Sequence, residues 1–215
     1  GIRLDRQAGM EISYSYFAMK DPVVGGYTPE KVALRRAIVL GQDVGSEIRV
    51  ARKNQAIPAH SPIGPGAAGY DPDFRSTATE YNPAKAKALL DMYGYLDCDG
   101  DGWRDLPRSN GSTECKPLSV EYASAPGGDQ KPLDENWKKN MDAIGIRMEV
   151  RTAKWPELRK ESKLGKLQNW HLAWGADYPD GENFYQLLYG PNCGSSNDGC
   201  FQLKEFDALY DKAAA

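Results

Sequence analysis

The chain has 215 residues, which is enough for one large hydrophobic core or two small ones. Its 27 basic and 30 acidic side chains give a formal net charge of −3, so no basic excess is present to bind a nucleic-acid backbone. Hydrophobic residues make up 40% of the sequence, but no apolar run approaches the ~18 residues of a membrane span. Nucleic-acid-binding and membrane-spanning classes are therefore disfavoured.

The first part of the chain is predicted to form a strand, a helix and an irregular excursion. Residues 11–19 alternate between apolar and polar side chains, which is typical of a strand. Thr28 and Pro29 match the first positions of a helix, and apolar residues then recur at steps of three and four, which predicts one amphipathic helix over about 29–50. Residues 51–81 have no such period and are rich in proline and glycine.

The rest of the chain alternates helices with strands. Asn82 and Pro83 are predicted to begin a helix that Gly94 ends. After it the pattern predicts a strand over 118–123, a helix to Gly145, a strand over 146–150 and a short helix from Pro156. A strand over 170–174 and a helix with Phe184, Leu187 and Leu188, which Gly190 ends, complete the prediction. Strands and helices in this alternation predict an α/β domain with parallel strands joined by right-handed crossovers.

The four cysteines fall into two local pairs, Cys98 with Cys115 and Cys193 with Cys200. No C-x-x-C motif is present and neither histidine lies near a pair, so two loop-closing disulfides fit better than a zinc site. Disulfides would indicate an oxidising compartment. Four cysteines allow three connectivities, and four free thiols are the other alternative.

Five stretches of this sequence, in chain order, carry a family resemblance. They read TPEKVALRRAIVLGQDVGSEI, IPAHSPIGPGAAGYDPDF, YNPAKAKALLDMYGYLDCDGDGWRD, WKKNMDAIGIRMEVRTAKW and WHLAWGADYPDGENFYQLLYG. Together they resemble the extracytoplasmic solute-binding proteins of ABC transporters, in the family of oligopeptide-, dipeptide- and nickel-binding proteins called family 5. The resemblance covers nearly all of this chain but only part of the family's usual length.

The resemblance implies the C-terminal lobe of a bilobed protein, with the N-terminal lobe absent. The expected fold is an α/β lobe of the type II periplasmic-binding-protein kind, with a mixed, mainly parallel sheet flanked by helices. Residues 1–27 are expected to form a hinge or crossover strand and a turn, and residues 28–215 one ligand-binding lobe. The family's role implies a non-enzymatic, periplasmic or extracellular protein that binds a peptide or other small solute and delivers it to an ABC-transporter permease.

Asp177 is the leading candidate for ligand binding. It directly follows a predicted strand, at the carboxyl end where open α/β sheets place their ligands, and its carboxylate could pair with an ammonium group. In peptide-binding members of the family the aspartate of the matching W-x-A-D-Y motif holds the α-amino group of the peptide, so the resemblance assigns that role to Asp177. The alternative is that Asp177 only opens a loop or caps the helix near Glu182.

Other residues near Asp177 are secondary candidates. Trp170, Leu172 and Trp174 share one face of the predicted strand, where a tryptophan is either core or, for Trp174 at the strand end, a wall of the ligand pocket. His171 lies on the opposite face, as a ligand contact or as a hydrogen-bonded surface or hinge histidine. Candidate residues at the rim of the site are Tyr178, Asp180 and Asn183.

An acidic loop offers a candidate metal site without a family role. Asp97, Asp99, Asp101, the Trp103 carbonyl and Asp105 occupy positions 1, 3, 5, 7 and 9 of an EF-hand-type calcium loop. Position 12, which should be a bidentate glutamate, is Arg108. The favoured alternative is a hairpin turn closed by a Cys98–Cys115 disulfide, in a protein without a cofactor.

Two functions from other classes stay open. A secreted structural or adhesion module could use the Asp97 loop to bind calcium. A glycoside hydrolase could pair Asp177 with Asp180 or Glu182 as its two carboxylates. The sequence contains no H-E-x-x-H, G-x-S-x-G or glycine-rich phosphate motif, and two histidines restrict the choice of general base, so we expect a non-enzymatic protein.

Overall fold

The computed structural model describes residues 3, 5, 7–109, 111–128 and 130–214. Its strands are β1 (Glu11–Phe17), β2 (Ser119–Ser124), β3 (Arg147–Thr152) and β4 (Asn169–Gly175). Its α-helices are α1 (Pro29–Gly41), α2 (Val44–Val50), α3 (Pro83–Met92), α4 (Gln130–Ala143), α5 (Trp155–Lys163), α6 (Glu182–Tyr185) and α7 (Lys204–Ala213). Short 3-10 turns lie at Thr77–Thr79 and Gly190–Asn192.

The four strands form one mixed sheet in the order β1-β4-β2-β3. β2 runs parallel to both β3 and β4, whereas β1 is antiparallel to β4 and forms an edge of the sheet. The predicted α/β class and the mainly parallel arrangement are confirmed, and each of the four predicted strands lies within two residues of its observed bounds. Since β1 pairs with β4 along its whole length, residues 11–17 belong to the same sheet as β2, β3 and β4.

The main core lies on one face of the sheet, beneath α1, α3 and α4. Leu34 and Ile38 of α1 are fully buried there against Met141 of α4 and against Val120 and Tyr122 of β2. The Tyr122 ring stacks on Trp137 of α4 with their centroids 5.3 Å apart. Because these apolar side chains repeat at helical steps on α1 and α4 and at every second residue on β2, the pattern of the sequence decides which face of each element is buried.

The opposite face of the sheet is covered by α5 and by the irregular segment with α6. Ala123, Trp170 and Leu172 pack with Leu158 of α5, and Ile12 packs with Phe184 of α6. Both faces are therefore covered, as is usual for parallel strands. In the described part of the chain, no helix combines the length and the apolar character needed to cross a membrane.

The predicted single helix over 29–50 is wrong, because the structure breaks it between Gly41 and Val44. Gln42 is extended, with φ −84° and ψ 116°, and the Asp43 side chain accepts a hydrogen bond from the Ser46 N–H, which caps α2. Two amides of α4 stabilise the break: the side chain of Asn140 donates to Gln42 Oε1 at 3.2 Å, and that of Asn136 to the Asp43 carbonyl at 3.4 Å. Apolar spacing continues across the break, so periodicity alone cannot reveal it.

The helix predicted to contain Phe184, Leu187 and Leu188 and to end at Gly190 is also shorter than expected. α6 has four residues, and Leu187 lies beyond it, buried in a turn. Residues 51–81 are irregular apart from the 3-10 turn at Thr77–Thr79, as the sequence predicts. The predicted stop at Gly145 is confirmed, since this residue has φ +81° and lies two residues after α4.

Candidate ligand-binding site

Asp177 lies at the carboxyl end of β4, two residues beyond the strand, and its side chain is exposed. The backbone just after β4 is held in place, because the Ala176 N–H donates to the Met10 carbonyl at 2.8 Å. The Asp177 N–H in turn donates to Asn183 Oδ1 at 3.1 Å. A carboxylate is thus presented to solvent from a backbone that is held on both sides, which suits the capture of a cation.

Trp174 lies between core and surface. Its partly buried ring packs against the cluster that contains Ile12, Ile63 and Phe184, and its indole N–H donates to Asn183 Oδ1 at 2.9 Å. Trp170 is different, because it is only 2% exposed and belongs to the core under α5. Of the two tryptophans on this strand face, only Trp174 is placed to contact both the core and a ligand near Asp177.

Asn183 differs from its predicted place at the rim of the site. The side chain is 1% exposed, and its Oδ1 atom accepts hydrogen bonds from both the Trp174 indole and the Asp177 backbone. Its amide nitrogen lies 3.5 Å from Asp177 Oδ2. Asn183 therefore connects two candidate residues from a buried position instead of facing solvent, and its polarity alone gave no signal of this burial.

Tyr178 and Asp180 are exposed, and their place at the rim of a ligand site stays a prediction. The Tyr178 hydroxyl donates to the Glu182 carboxylate, which raises the pKa of Tyr178, and the Tyr210 hydroxyl of α7 donates to the other Glu182 oxygen. Asp180 Oδ1 accepts the Glu182 N–H at 2.9 Å. The two acidic residues proposed as hydrolase partners of Asp177 are thus engaged in holding the loop and α7.

The irregular segment 51–81 braces the Asp177 loop, which sequence reasoning did not foresee. The Ala68 N–H donates to the Pro179 carbonyl at 2.8 Å, and the Gly181 N–H donates back to the Ala68 carbonyl at 2.9 Å. A Cβ atom at Gly181 would lie only 2.7 Å from Ile63 Cδ1 and 3.0 Å from the Ala68 carbonyl oxygen, so a larger residue there would require Ile63 to move. The only feature of the sequence that pointed to a special role for this segment was its content of proline and glycine.

His171 lies on the face of β4 opposite Trp170, as predicted, and is largely enclosed. Its Nε2 atom is 3.0 Å from an Arg52 guanidinium nitrogen, and its Nδ1 atom is 3.5 Å from Ser15 Oγ. Because a guanidinium only donates, Nε2 is the acceptor and the proton belongs on Nδ1. Burial, followed by the neighbouring Arg52 charge, lowers the pKa of His171 to about 4, so the ring is neutral at physiological pH.

The acidic loop is built as a turn. The Asp97 carboxylate accepts the N–H groups of Gly100 at 2.7 Å and Gly102 at 2.9 Å, while Asp101 accepts the Trp103 N–H at 2.8 Å and pairs with Arg147 at 2.8 Å. Carboxylate oxygens of three of its residues still lie within 4.8 Å of one another, namely those of Asp97, Asp99 and Asp105. Backbone N–H groups of the loop donate to all three of these carboxylates, including that of Asp101 to Asp99 at 3.1 Å and that of Cys98 to Asp105 at 2.9 Å, so the donor set fits the hairpin better than calcium. Calcium binding here stays a prediction.

Both predicted disulfides are present. Cys98 and Cys115 have Cα atoms 6.0 Å apart and close a loop beside the acidic turn, whereas Cys193 and Cys200 have Cα atoms 4.5 Å apart and close a short loop before α7. The second loop is anchored to the edge strand region, because the Met19 N–H donates to the Gly199 carbonyl at 2.8 Å. The predicted local pairing is confirmed.

A cavity of about 420 Å³ lies apart from Asp177, along β1. Its walls come from the whole run of β1 from Ile12 to Phe17, from α1 and the irregular segment, and from the Cys193–Cys200 loop. Asp198 of that loop is 7% exposed and accepts a hydrogen bond from Ser162 at 2.7 Å. Burial, with Asp198 nearby, raises the pKa of Tyr14 in this cavity to about 12. The sequence contained no signal for this cavity.

The model of the bacterial extracellular solute-binding proteins, family 5 Middle, matches residues 1–196. The chain belongs to this family. It is 29% identical over 180 residues to di/tripeptide-binding protein 2 of Pseudomonas aeruginosa, a match that covers 84% of this chain and 30% of the relative. It is 27% identical over 215 residues to heme-binding protein A of Haemophilus influenzae, covering 99% of this chain and 35% of the relative.

A solved structure extends the comparison to the fold. The oligopeptide-binding protein AppA of Bacillus subtilis, in complex with a nonapeptide, superimposes with a TM-score of 0.79 at 19% identity, over 96% of this chain and 39% of that structure. The predicted type II periplasmic-binding-protein fold is confirmed for this family member. The chain spans about a third of the length of the curated relatives that it matches.

Proposed function

We propose that this chain is a solute-binding lobe of an ABC-transporter substrate-binding protein, and that it binds peptides by pairing Asp177 with their α-ammonium group. Family membership supports solute binding, and a relative named for di- and tripeptides supports the ligand class. The observation that carries the role of Asp177 is its exposed carboxylate at the carboxyl end of β4, on a loop held by buried Asn183 and beside the partly buried Trp174 ring.

The electrostatics of the loop favour a cationic group. Asp177 has neighbouring carboxylates at Asp180 and Glu182, but these already accept hydrogen bonds from the loop and from two tyrosines. In the described part of the chain, by contrast, only the Asn183 side chain reaches the Asp177 carboxylate, from 3.5 Å. Its second oxygen is therefore placed to accept a ligand N–H, and charge-assisted hydrogen bonds of this kind are stronger than neutral ones.

The partners proposed for the whole protein follow from the family. A second, N-terminal lobe would close over the Asp177 loop about a hinge within residues 1–27, while β1 of that stretch adds a strand to the sheet of the ligand-binding lobe formed by residues 28–215. Closure would remove water and strengthen the ammonium–carboxylate pair. The closed form would deliver the peptide to the permease subunits at the membrane, which requires a periplasmic or extracellular location. Binding and release without bond cleavage would make the protein non-enzymatic.

The ammonium role is tested by titrating the ¹⁵N-labelled chain with trialanine and with N-acetyl-trialanine and following amide resonances. We expect shifts confined to residues near 170–185 with the free peptide, and affinity lower by about tenfold or more after acetylation, since a hydrogen bond to a charged group contributes about 1.5–3 kcal/mol. Asp177→Asn should remove the preference for the free peptide. Asp142→Asn, which changes an exposed carboxylate on α4, is the matched control and should keep it.

Two results would contradict the proposal. Equal affinities for the free and acetylated peptides would show that the ammonium group is not recognised. No shifts at millimolar peptide, with the chain folded, would show that this chain does not bind peptides at the Asp177 loop.

A further inference from the structure

We infer that Asn183 is a positioning residue that makes Trp174 and Asp177 act as one unit, so that the contact of a ligand with the indole and the capture of its ammonium group are energetically coupled. This inference rests on the proposed function. It concerns a residue that does not face the ligand and acts only through its two neighbours.

The geometry joins the two residues at a single atom. Asn183 Oδ1 accepts the Trp174 indole N–H at 2.9 Å and the Asp177 backbone N–H at 3.1 Å. Asn183 itself is 1% exposed, and the next residue in the chain, Phe184, is fully buried in the cluster with Ile12. A movement of the indole ring or of the Asp177 loop therefore strains the other through one buried side chain.

The chemistry of the donors fixes the orientation of the amide. An indole N–H and a backbone N–H can only donate, so the atom that meets both must be the oxygen of Asn183. The amide NH₂ group then has to face Asp177, where its nitrogen lies 3.5 Å from Oδ2. One oxygen of the carboxylate is thus oriented from beneath, which leaves the other directed to a ligand.

Preorganisation is the physical reason for expecting a measurable effect. A carboxylate on a free loop loses conformational entropy when it binds, whereas a loop that is already ordered loses less and binds more tightly. Because the Trp174 indole shares the acceptor with the Asp177 backbone, losing the indole N–H should loosen the loop that carries the proposed ammonium-binding carboxylate. Neutral hydrogen bonds of this kind change affinities by about threefold to tenfold.

The test is a double-mutant cycle of Trp174→Phe and Asn183→Ala. Its readout is the ratio of the dissociation constants for N-acetyl-trialanine and trialanine. We expect each single substitution to lower this ratio by about threefold to tenfold, and Trp174→Phe to have no further effect in the Asn183→Ala chain, because the shared acceptor is gone. Tyr189→Phe, which removes an exposed hydroxyl that donates to Asp211, is the matched control. Independent, multiplying effects of the two substitutions would overturn the inference.

Hydrogen exchange of the ligand-free chain tests the anchoring without any peptide. Asn183→Ala should speed exchange of the Trp174 indole N–H and the Asp177 amide together, by about tenfold, and unchanged exchange at either group would overturn the inference. Faster exchange at both would support the positioning role even if peptide titration of the unsubstituted chain failed and refuted the proposed function. If Asn183→Ala does not fold, Trp174→Phe alone decides, since an unchanged affinity ratio would overturn the coupling.

Discussion

Acid should destabilise this chain through His171. In the folded protein the ring is enclosed, and its Nε2 atom accepts a hydrogen bond from Arg52, whose guanidinium also pairs with Glu47 at 3.3 Å. Protonation would remove that acceptor and place a second positive charge beside the guanidinium. The folded state therefore holds the pKa of His171 near 4, below its ordinary value of 6.5.

The size of the effect follows from the difference between the two pKa values. Between pH 6.5 and pH 4 the unfolded chain binds a proton at this histidine and the folded chain does not, so the free energy of unfolding falls as the pH falls. The full difference is worth about 3 kcal/mol, of which about 2 kcal/mol is lost by pH 5. For a domain of this size that loss lowers Tm by about 4–8 °C.

Urea unfolding at pH 7.5 and pH 5 measures the loss directly. His171→Gln keeps a hydrogen-bond acceptor for Arg52 but does not titrate, so its free energy of unfolding should fall by about 2 kcal/mol less than that of the unsubstituted chain. His60 is the other histidine of the chain, and His60→Gln, which keeps His171, should retain the loss. If the unsubstituted chain and His171→Gln lose equal stability, or if the His171 ring titrates near pH 6.5 by NMR, the argument for a buried neutral ring is wrong.

Two further predictions concern the stability of the fold. The Cys98–Cys115 disulfide joins residues 17 positions apart and the Cys193–Cys200 disulfide residues 7 apart, so removing the first should cost more stability. In chemical denaturation, replacing each pair with serines should lower the free energy of unfolding by about 3 kcal/mol for Cys98–Cys115 and by about 2 kcal/mol for Cys193–Cys200. The reverse order would contradict the dependence on loop length. Asp43→Ala should cost about 1 kcal/mol by removing the cap of α2, whereas Asp43→Ser should retain most of the stability; equal losses for the two variants would show that the cap does not stabilise the helix.

The local order of the elements could be read from the sequence. Alternation with period two located β1, and the succession of apolar segments along the chain located the other three strands and the helices that pack on them, because apolar spacing records which side of an element is buried. The two disulfides could be proposed for the same local reason, since each joins cysteines that lie close together in the chain. The position of Asp177 after a buried strand likewise placed a carboxylate at the carboxyl end of the sheet.

The tertiary structure decided how these elements pack together, and the predictions that failed were those that depend on the burial of polar residues. The break after Gly41 depends on amides of α4 that arrive from about a hundred residues away along the chain, and spacing within the helix does not record them. Asn183 looked like a rim residue because polar side chains are usually exposed, yet it is buried where two N–H donors meet it.

Local pattern and tertiary contacts also contribute separately to what could be predicted for His171 and for the irregular segment 51–81. The pattern of β4 placed His171 on the correct face, but its low pKa comes from enclosure and from Arg52, which is 119 residues away in sequence. The proline- and glycine-rich segment could be recognised as irregular, but its bracing of the Asp177 loop through Ala68 appears only in the fold. Apolar periodicity is a local property that a sequence records, whereas the burial of a polar group is favourable only when a distant partner satisfies it, and only the tertiary structure supplies that partner.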